Sequence, residues 1–286
     1  MVNRESVLFV GGVDDPEMRA VERLVSYAGC RFVEALATDK SVLQPENAYQ
    51  SMLPESVYFD ENTQIVTVET GLANSSDTPE VVARLDHHNV GDYGYDKSPQ
   101  EAWVGSSIGQ TTHLLKFWGI LPPLSIAEKR ELYTYGAMDH CLAAAVQGKT
   151  PEVKPADVLE LSMYETAKKH SQSIEGVHKK MTLMTAELER SRVLEYNGES
   201  IIDARHVVLG NSYSLGHLCM NLASATLGRP AIVELEMGAT GSQKIVLVGG
   251  YEPSQVEAFL AFATDHGLEN VYAVPRRGVA GGYFRA

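Results

Sequence analysis

The sequence predicts an α/β protein: a mostly parallel sheet in an amino-terminal domain over residues 1–150, a helical connector over 151–193, and a smaller carboxyl-terminal α/β domain over 194–286. Three observations carry that prediction. Short apolar runs alternate with helical periodicity through the first half of the chain. Pro151 and Pro155 bracket a change of pattern, after which no strand signal appears before Arg192. From Glu195 the short apolar runs return.

Ser6 to Val10 and Gln64 to Val68 read as strands bounded by turn residues, with Arg31 to Ala37 a weaker candidate and Val81 to Leu85 a fourth. Between the first two, Pro16 to Ala28 places Met18, Val21, Leu24 and Val25 on one helical face, with Pro16 in the first turn and Gly29 just past the end. Strand, helix and strand in that order form a βαβ signal. Helices follow around Ser107 to Trp118 and Ile126 to Val146. Ala156 to Arg192, rich in Glu, Lys, Met, Leu and Ala, reads as one long helix or a broken pair, and its Met181 to Met184 stretch as a packing face. Beyond it, Ser200 to Ile202, His206 to Leu209, Ala231 to Leu235 and Lys244 to Val248 read as strands, Leu215 to Leu227 and Pro253 to His266 as helices, and the end as a glycine-rich tail.

Composition narrows the function. At 286 residues the chain is long enough for two ordinary domains, and 44% hydrophobic with 21% charged residues is too apolar for general disorder and too interrupted for a membrane bundle. No run approaches 18 apolar residues and no signal peptide is visible, so no membrane partner is expected. The net charge of −13 repels long polyanions, which disfavours long duplex nucleic acid and favours a small anionic substrate. Cys30, Cys141 and Cys219 are odd in number and widely spaced, which fits reduced, buried thiols in a cytoplasmic protein. The oligomeric state is open, a homodimer being compatible.

The sharpest local feature is Asp86-His87-His88, directly after an apolar run. Imidazole and carboxylate at a strand's carboxyl end are good ligands for divalent manganese, zinc or iron and for one another. Asp14, Asp15 and Glu17 follow the first strand, Glu69 ends another, and Asp139-His140 lies in an otherwise apolar stretch. In an open parallel sheet the ligand crevice lies beyond the strands' carboxyl ends, so these acids are expected to converge with Asp139. Carboxylates about 4 Å apart repel by roughly 4 kcal/mol per pair at an effective dielectric near 20, and a cation or protons must offset that cost. Arg276 and Arg277 beside Gly278, Gly281 and Gly282 make a second feature, an anion cradle in an acidic protein. A dinucleotide or P-loop site is disfavoured, because Gly11-Gly12 is completed by neither a G-x-G-x-x-G pattern nor a Walker lysine.

In the order of these motifs the sequence resembles the DHH phosphoesterases, a superfamily that includes RecJ-like exonucleases, small-oligonucleotide phosphodiesterases and family II inorganic pyrophosphatases. The triplet is matched in full by Asp86, His87 and His88; Asp15 and Glu17 match the acidic pair of the first motif, Glu69 the strand-ending acid of the second, and Asp139 the later acid of the fourth. The resemblance implies metal ligands at Asp15, Glu17, Glu69, His87 and Asp139, with Asp86 orienting an imidazole and His88 facing the scissile phosphate. It implies one or two divalent ions, manganese first, with magnesium, iron or zinc as alternatives. Arg276, Arg277, Gly281 and Gly282 would hold substrate from the carboxyl-terminal domain. The expected activity is a metal-dependent phosphohydrolase or phosphodiesterase acting on a small phosphate ester or short nucleotide. The alternatives are a non-catalytic nucleotide- or partner-binding protein and a hydrolase of altered, non-phosphoester chemistry.

The chain departs from the family pattern at four positions. Gly11 stands where the first motif has its histidine, Glu replaces Asp at positions 17 and 69, and Tyr283 stands where a glycine-loop histidine is expected. His113, His140 and Cys141 are candidate substitutes for the missing ligand.

Overall fold

The computed structural model describes residues 3–44, 47–73, 79–211, 214–237 and 242–284. The chain forms a mixed α/β structure of two compact units, Met1–Tyr95 with Glu101–Asp139, and Asp96–Gln100 with His140–Ala286.

The first unit is built on β1 (Val7–Gly11), β2 (Arg31–Glu34), β5 (Gln64–Val68) and β6 (Val81–Leu85), all parallel in the order β2-β1-β5-β6. The weaker strand candidate splits into β2 and the short β3 (Leu36–Ala37), which pairs antiparallel with β4 (Ser51–Met52). Apolar residues dictate this arrangement. Leu8, Val10 and Ile65 pack with Ala35, Leu43 and Ala48 in one core cluster. Phe9 meets Trp118 edge to face, at the end of α3 (Ser107–Phe117). The apolar stripe Met18, Val21, Leu24 and Val25 of α1 (Pro16–Tyr27) is buried as its spacing required. The short α2 (Ala102–Gly105) precedes α3, and α4 (Ile126–Val146) breaks its helical geometry at Cys141. Strand register sets the three strand ends level, since Gly11 pairs with Val68 and Val68 with Leu85.

The second unit holds a six-stranded sheet in the order β11-β12-β10-β9-β8-β7. Its strands are β7 (Arg192–Tyr196), β8 (Glu199–Asp203), β9 (Ala231–Met237), β10 (Ser242–Val248), β11 (Glu269–Val274) and β12 (Val279–Tyr283), antiparallel except for the β8–β9 pair. The period-two alternation of strands divides the core. Ile201, Ile232 and Ile245 face Val256, Phe259 and Phe262 of α8 (Pro253–Asp265). Ile202, Val233 and Val246 lie in the opposite cluster with Met220 of α7 (Leu215–Leu227) and Met181 and Met184 of α6 (Ile174–Arg190). The stretch expected to be a connector is thus the helix pair α5 (Pro155–Lys169) and α6, and its methionines do pack in a core.

Two expectations for this unit change. His206 to Leu209 is no strand: the chain turns there and Val208 is exposed. The strand beside β8 is instead β7, joined to it through Asn197 (φ 53°) and Gly198 (φ 82°), the left-handed pair that a two-residue hairpin turn demands. The expected glycine-rich tail is largely β-structure. Gly281 and Gly282 lie inside β12, hydrogen-bonded between β10 and β11.

Candidate metal centre

The candidate ligands follow β1, β5 and β6, and the backbone of these turns is shaped to bring them close. Gly12 follows β1, its N–H donates to Val68 O at 2.8 Å, and a Cβ there would meet Glu69 O at 2.4 Å. The Gly11-Gly12 pair therefore permits backbone contact between two ligand-bearing turns. Glu69 itself is left-handed (φ 52°), a conformation that costs a non-glycine residue energy and gathers at functional sites.

Glu17 lies in the first turn of α1, fully buried, and its Oε1 accepts from Ile108 N–H (2.9 Å) in the first turn of α3. A helix amino terminus suits a buried carboxylate. Oε2 of the same side chain has no hydrogen-bond partner, and neither does the buried Glu69 Oε1. Asp139 comes from α4, which crosses the start of α3 closely because Gly136 has no side chain: a Cβ would meet Ser106 Oγ at 2.5 Å. His87 is wholly buried, with Nε2 2.9 Å from Asp139 Oδ2 and 3.9 Å from Glu69 Oε1.

One donor atom from each of Glu17, Glu69, His87 and Asp139 lies within 4.8 Å of all the others, and Glu69, His87 and His88 form a second such group. Donors on opposite sides of a manganese- or magnesium-sized ion are about 4.0–4.4 Å apart, so the set suits one ion after a shift of tenths of an ångström. Three carboxylates and an imidazole form a hard oxygen-nitrogen set suited to manganese, magnesium, iron or zinc. Two unpartnered carboxylate oxygens in a buried cluster of acids are what such an ion would satisfy. The residues fit a divalent cation.

Electrostatics point the same way. Burial, then the charges of Asp139 and Glu69, raise the Glu17 carboxyl well above the usual range, the Ile108 N–H only partly opposing them. Asp15 is raised well above its ordinary value by burial, then by Glu69 and Asp139. Asp15 also caps α1, its Oδ1 accepting from Met18 N–H at 2.8 Å, and it belongs to neither donor group.

Asp86 belongs to neither donor group and contacts the rest of the triplet instead. Its fully buried carboxylate accepts from the His87 and His88 N–H groups (2.7 and 3.1 Å) and lies 3.0 Å from His88 Nδ1. Burial favours protonation, but the hydrogen bond and charge of His88, with those two N–H groups, outweigh it and bring Asp86 down to about 2. An ionised carboxylate only accepts, so His88 Nδ1 carries the hydrogen and Nε2 is left for a ligand. Burial works against the His88 cation, yet Asp86, Glu69 and Asp139 together raise it to about 9. Gln110 locks the backbone beneath, accepting from Asp86 N–H and donating to Asp86 O.

The candidate substitutes for a ligand at position 11 do not join the cluster. His113 Nδ1 bonds to Gly109 O, His140 Nε2 to Lys97 O, and Cys141 is buried at the helix break. The volume a side chain at position 11 would take is filled, since a Cβ there meets the Phe32 ring at 2.4 Å and Met18 Sδ at 2.9 Å. In the second unit, Arg277 is buried with Nε donating to His140 O (2.9 Å), whereas Arg276 is exposed and lines a cavity of about 110 Å³ with Lys149 and Tyr251. Gly281 and Gly282 form no loop cradle, because β12 is an interior strand whose peptide groups are shared with both neighbours. Tyr49, Arg84 and Gln110 were not singled out from the sequence, and only the structure brings them to Asp86.

No protein-family model and no curated protein matches the sequence. Among solved structures, the chain is similar to PggH, a pGpG-specific phosphodiesterase from Vibrio cholerae, at 10% identity over 97% of this chain and 93% of that one, with a TM-score of 0.45. It is also similar to a Methanococcus jannaschii protein assigned as a family II inorganic pyrophosphatase, at 15% identity over 87% and 90% of the two chains, with a TM-score of 0.26. At these scores the function rests on the side chains of the centre.

Proposed function

We propose that this protein is a metal-dependent phosphohydrolase acting on a small phosphate ester or short nucleotide, with one divalent ion, manganese first, held by Glu17, Glu69, His87 and Asp139. The observation that carries the reading is the buried four-donor cluster with unpartnered oxygens on Glu17 and Glu69. The ion would supply Lewis acidity and a water of lowered pKa. Glu17 and Glu69 offer ionised oxygens to it, and His87 offers a ring nitrogen from a position without solvent contact. His88, its Nδ1 engaged by Asp86, presents Nε2 to a phosphoryl oxygen and donates a hydrogen bond as negative charge builds there. Arg276, exposed, holds an anionic group of the substrate, and Arg277 supports the fold around it.

One ion is favoured over two. Phe32 and Met18 occupy the space of a ligand at position 11, and Asp15 is engaged as a helix cap. The test is phosphate or nucleotide release from bis-p-nitrophenyl phosphate, dinucleotides and pyrophosphate, with and without manganese. Turnover that needs the ion and falls at least 100-fold in Asp139→Asn supports the reading. Manganese-independent turnover, or full turnover in Asp139→Asn, rejects it.

A further inference from the structure

Asp86 is held by two further side chains as well. Tyr49 Oη lies 3.2 and 3.1 Å from its two carboxylate oxygens, and Arg84 Nη2 donates to Oδ2 at 3.3 Å. The two outer residues also hold each other, because the Arg84 guanidinium sits over the Tyr49 ring at 5.1 Å. Arg84 makes a second ion pair, to Asp92 at 3.1 Å, and Asp92 Oδ2 accepts from Asn89 N–H at 2.7 Å. One guanidinium therefore braces both the triplet and the loop that follows it.

Tyr49 is anchored in turn to the Glu69 turn. Thr70 Oγ1 and Gly71 N–H both donate to Ala48 O (2.7 and 3.0 Å), Ser51 N–H donates to Gly71 O (3.0 Å), and the Ser51 and Thr70 hydroxyls are 2.9 Å apart. A displacement of Tyr49 would thus be felt at a metal-ligand turn and at Asp86 together. Burial and then the charge of Asp86 raise the Tyr49 phenol above its ordinary value, so it stays a donor.

We infer that Tyr49 and Arg84 are positioning residues for His88, acting through Asp86. The catalytic part of this inference rests on the function proposed above, whereas the positioning part stands on the geometry alone. Without the clamp, Asp86 keeps its bonds to the two backbone N–H groups but loses two side-chain donors to its carboxylate. The His88 ring, 44% exposed and held by that carboxylate, then loses its fixed direction.

Two readouts on the full chain test it. In the metal-free protein labelled with ¹⁵N-histidine, the His88 Nδ1–H resonance, assigned by its loss in His88→Gln, is expected to be protected from exchange in the wild type. In Tyr49→Phe and Arg84→Gln it is expected to broaden or shift. With manganese and a phosphoester that the wild type hydrolyses, Tyr49→Phe is expected to lower kcat about 10-fold, with KM and metal content within twofold. An unchanged resonance in both variants overturns the inference, as does unchanged kcat in both. If the wild type hydrolyses no phosphoester, the functional reading fails alone and the resonance still decides the clamp. Should Tyr49→Phe fold poorly, Arg84→Gln gives the same two readouts.

Discussion

Replacing Glu17 by glutamine is expected to stabilise the metal-free protein while removing the stabilisation that manganese confers. Glu17 is fully buried within 4.8 Å of Glu69 and Asp139 donor atoms. Two ionised carboxylates at that separation repel by roughly 3 kcal/mol at an effective dielectric near 20. Proton uptake relieves part of this, and a glutamine keeps the acceptor facing Ile108 N–H. The net gain is therefore about 1–3 kcal/mol, or roughly 3–9 °C in the unfolding transition of the first unit. The sign with pH follows from the raised carboxyls of Glu17 and Asp15. Their contribution is fully present below the unfolded-state values near 4 and is lost as pH rises through the raised folded-state values, so the metal-free wild type should lose stability as pH rises above about 4. Glu17→Gln should flatten that slope. At manganese 100-fold above Kd the wild type should gain about 2.7 kcal/mol and the variant nothing. Calorimetry in chelator and then in manganese reads all of this. A variant less stable than the metal-free wild type and still stabilised by manganese would refute the reasoning.

Four further substitutions separate ligand geometry from packing. Gly136→Ala puts a Cβ 2.5 Å from Ser106 Oγ and 3.1 Å from Ile108 Cγ2, so α4 must shift and carry Asp139 with it; a stability loss of about 1–3 kcal/mol and at least tenfold weaker manganese binding are expected by calorimetry and titration. Gly11→His is expected to destabilise by a similar amount without raising the metal content, measured by plasma mass spectrometry, because Phe32 and Met18 fill the space. Arg277→Ala should destabilise by about 1–3 kcal/mol in denaturant through the lost bond to His140 O, whereas Arg276→Ala should raise KM with stability and metal content unchanged.

Much of the first unit was legible because local signals and tertiary packing agree there. The strand Gln64–Val68 and the helices that begin at Pro16, Ser107 and Ile126 carry their periodicity and capping residues in sequence. The carboxyl-terminal unit was harder. The run His206 to Leu209 has strand-forming residues but no neighbour to pair with, and the hairpin that takes its place is marked by Asn197-Gly198, a turn signal present in the sequence. Gly281 and Gly282 look like a loop, yet both lie in β12, where a Cβ on Gly281 would meet the Tyr272 side chain at 2.4 Å and one on Gly282 would be tight against Val271 at 3.1 Å. At the centre, Asp86-His87-His88 could be read directly, since adjacent residues at a strand end need no knowledge of the fold. The Tyr49 and Arg84 contacts could not, because a hydrogen bond spanning 37 residues depends on how a loop folds back on the sheet.

The central claim is a single divalent ion held by Glu17, Glu69, His87 and Asp139. Its most direct test is calorimetric titration of chelator-treated protein with manganese, run beside His87→Ala. The account requires one saturable site per chain in the wild type and none in the variant. No binding in the wild type, or a site that survives His87→Ala, would contradict it.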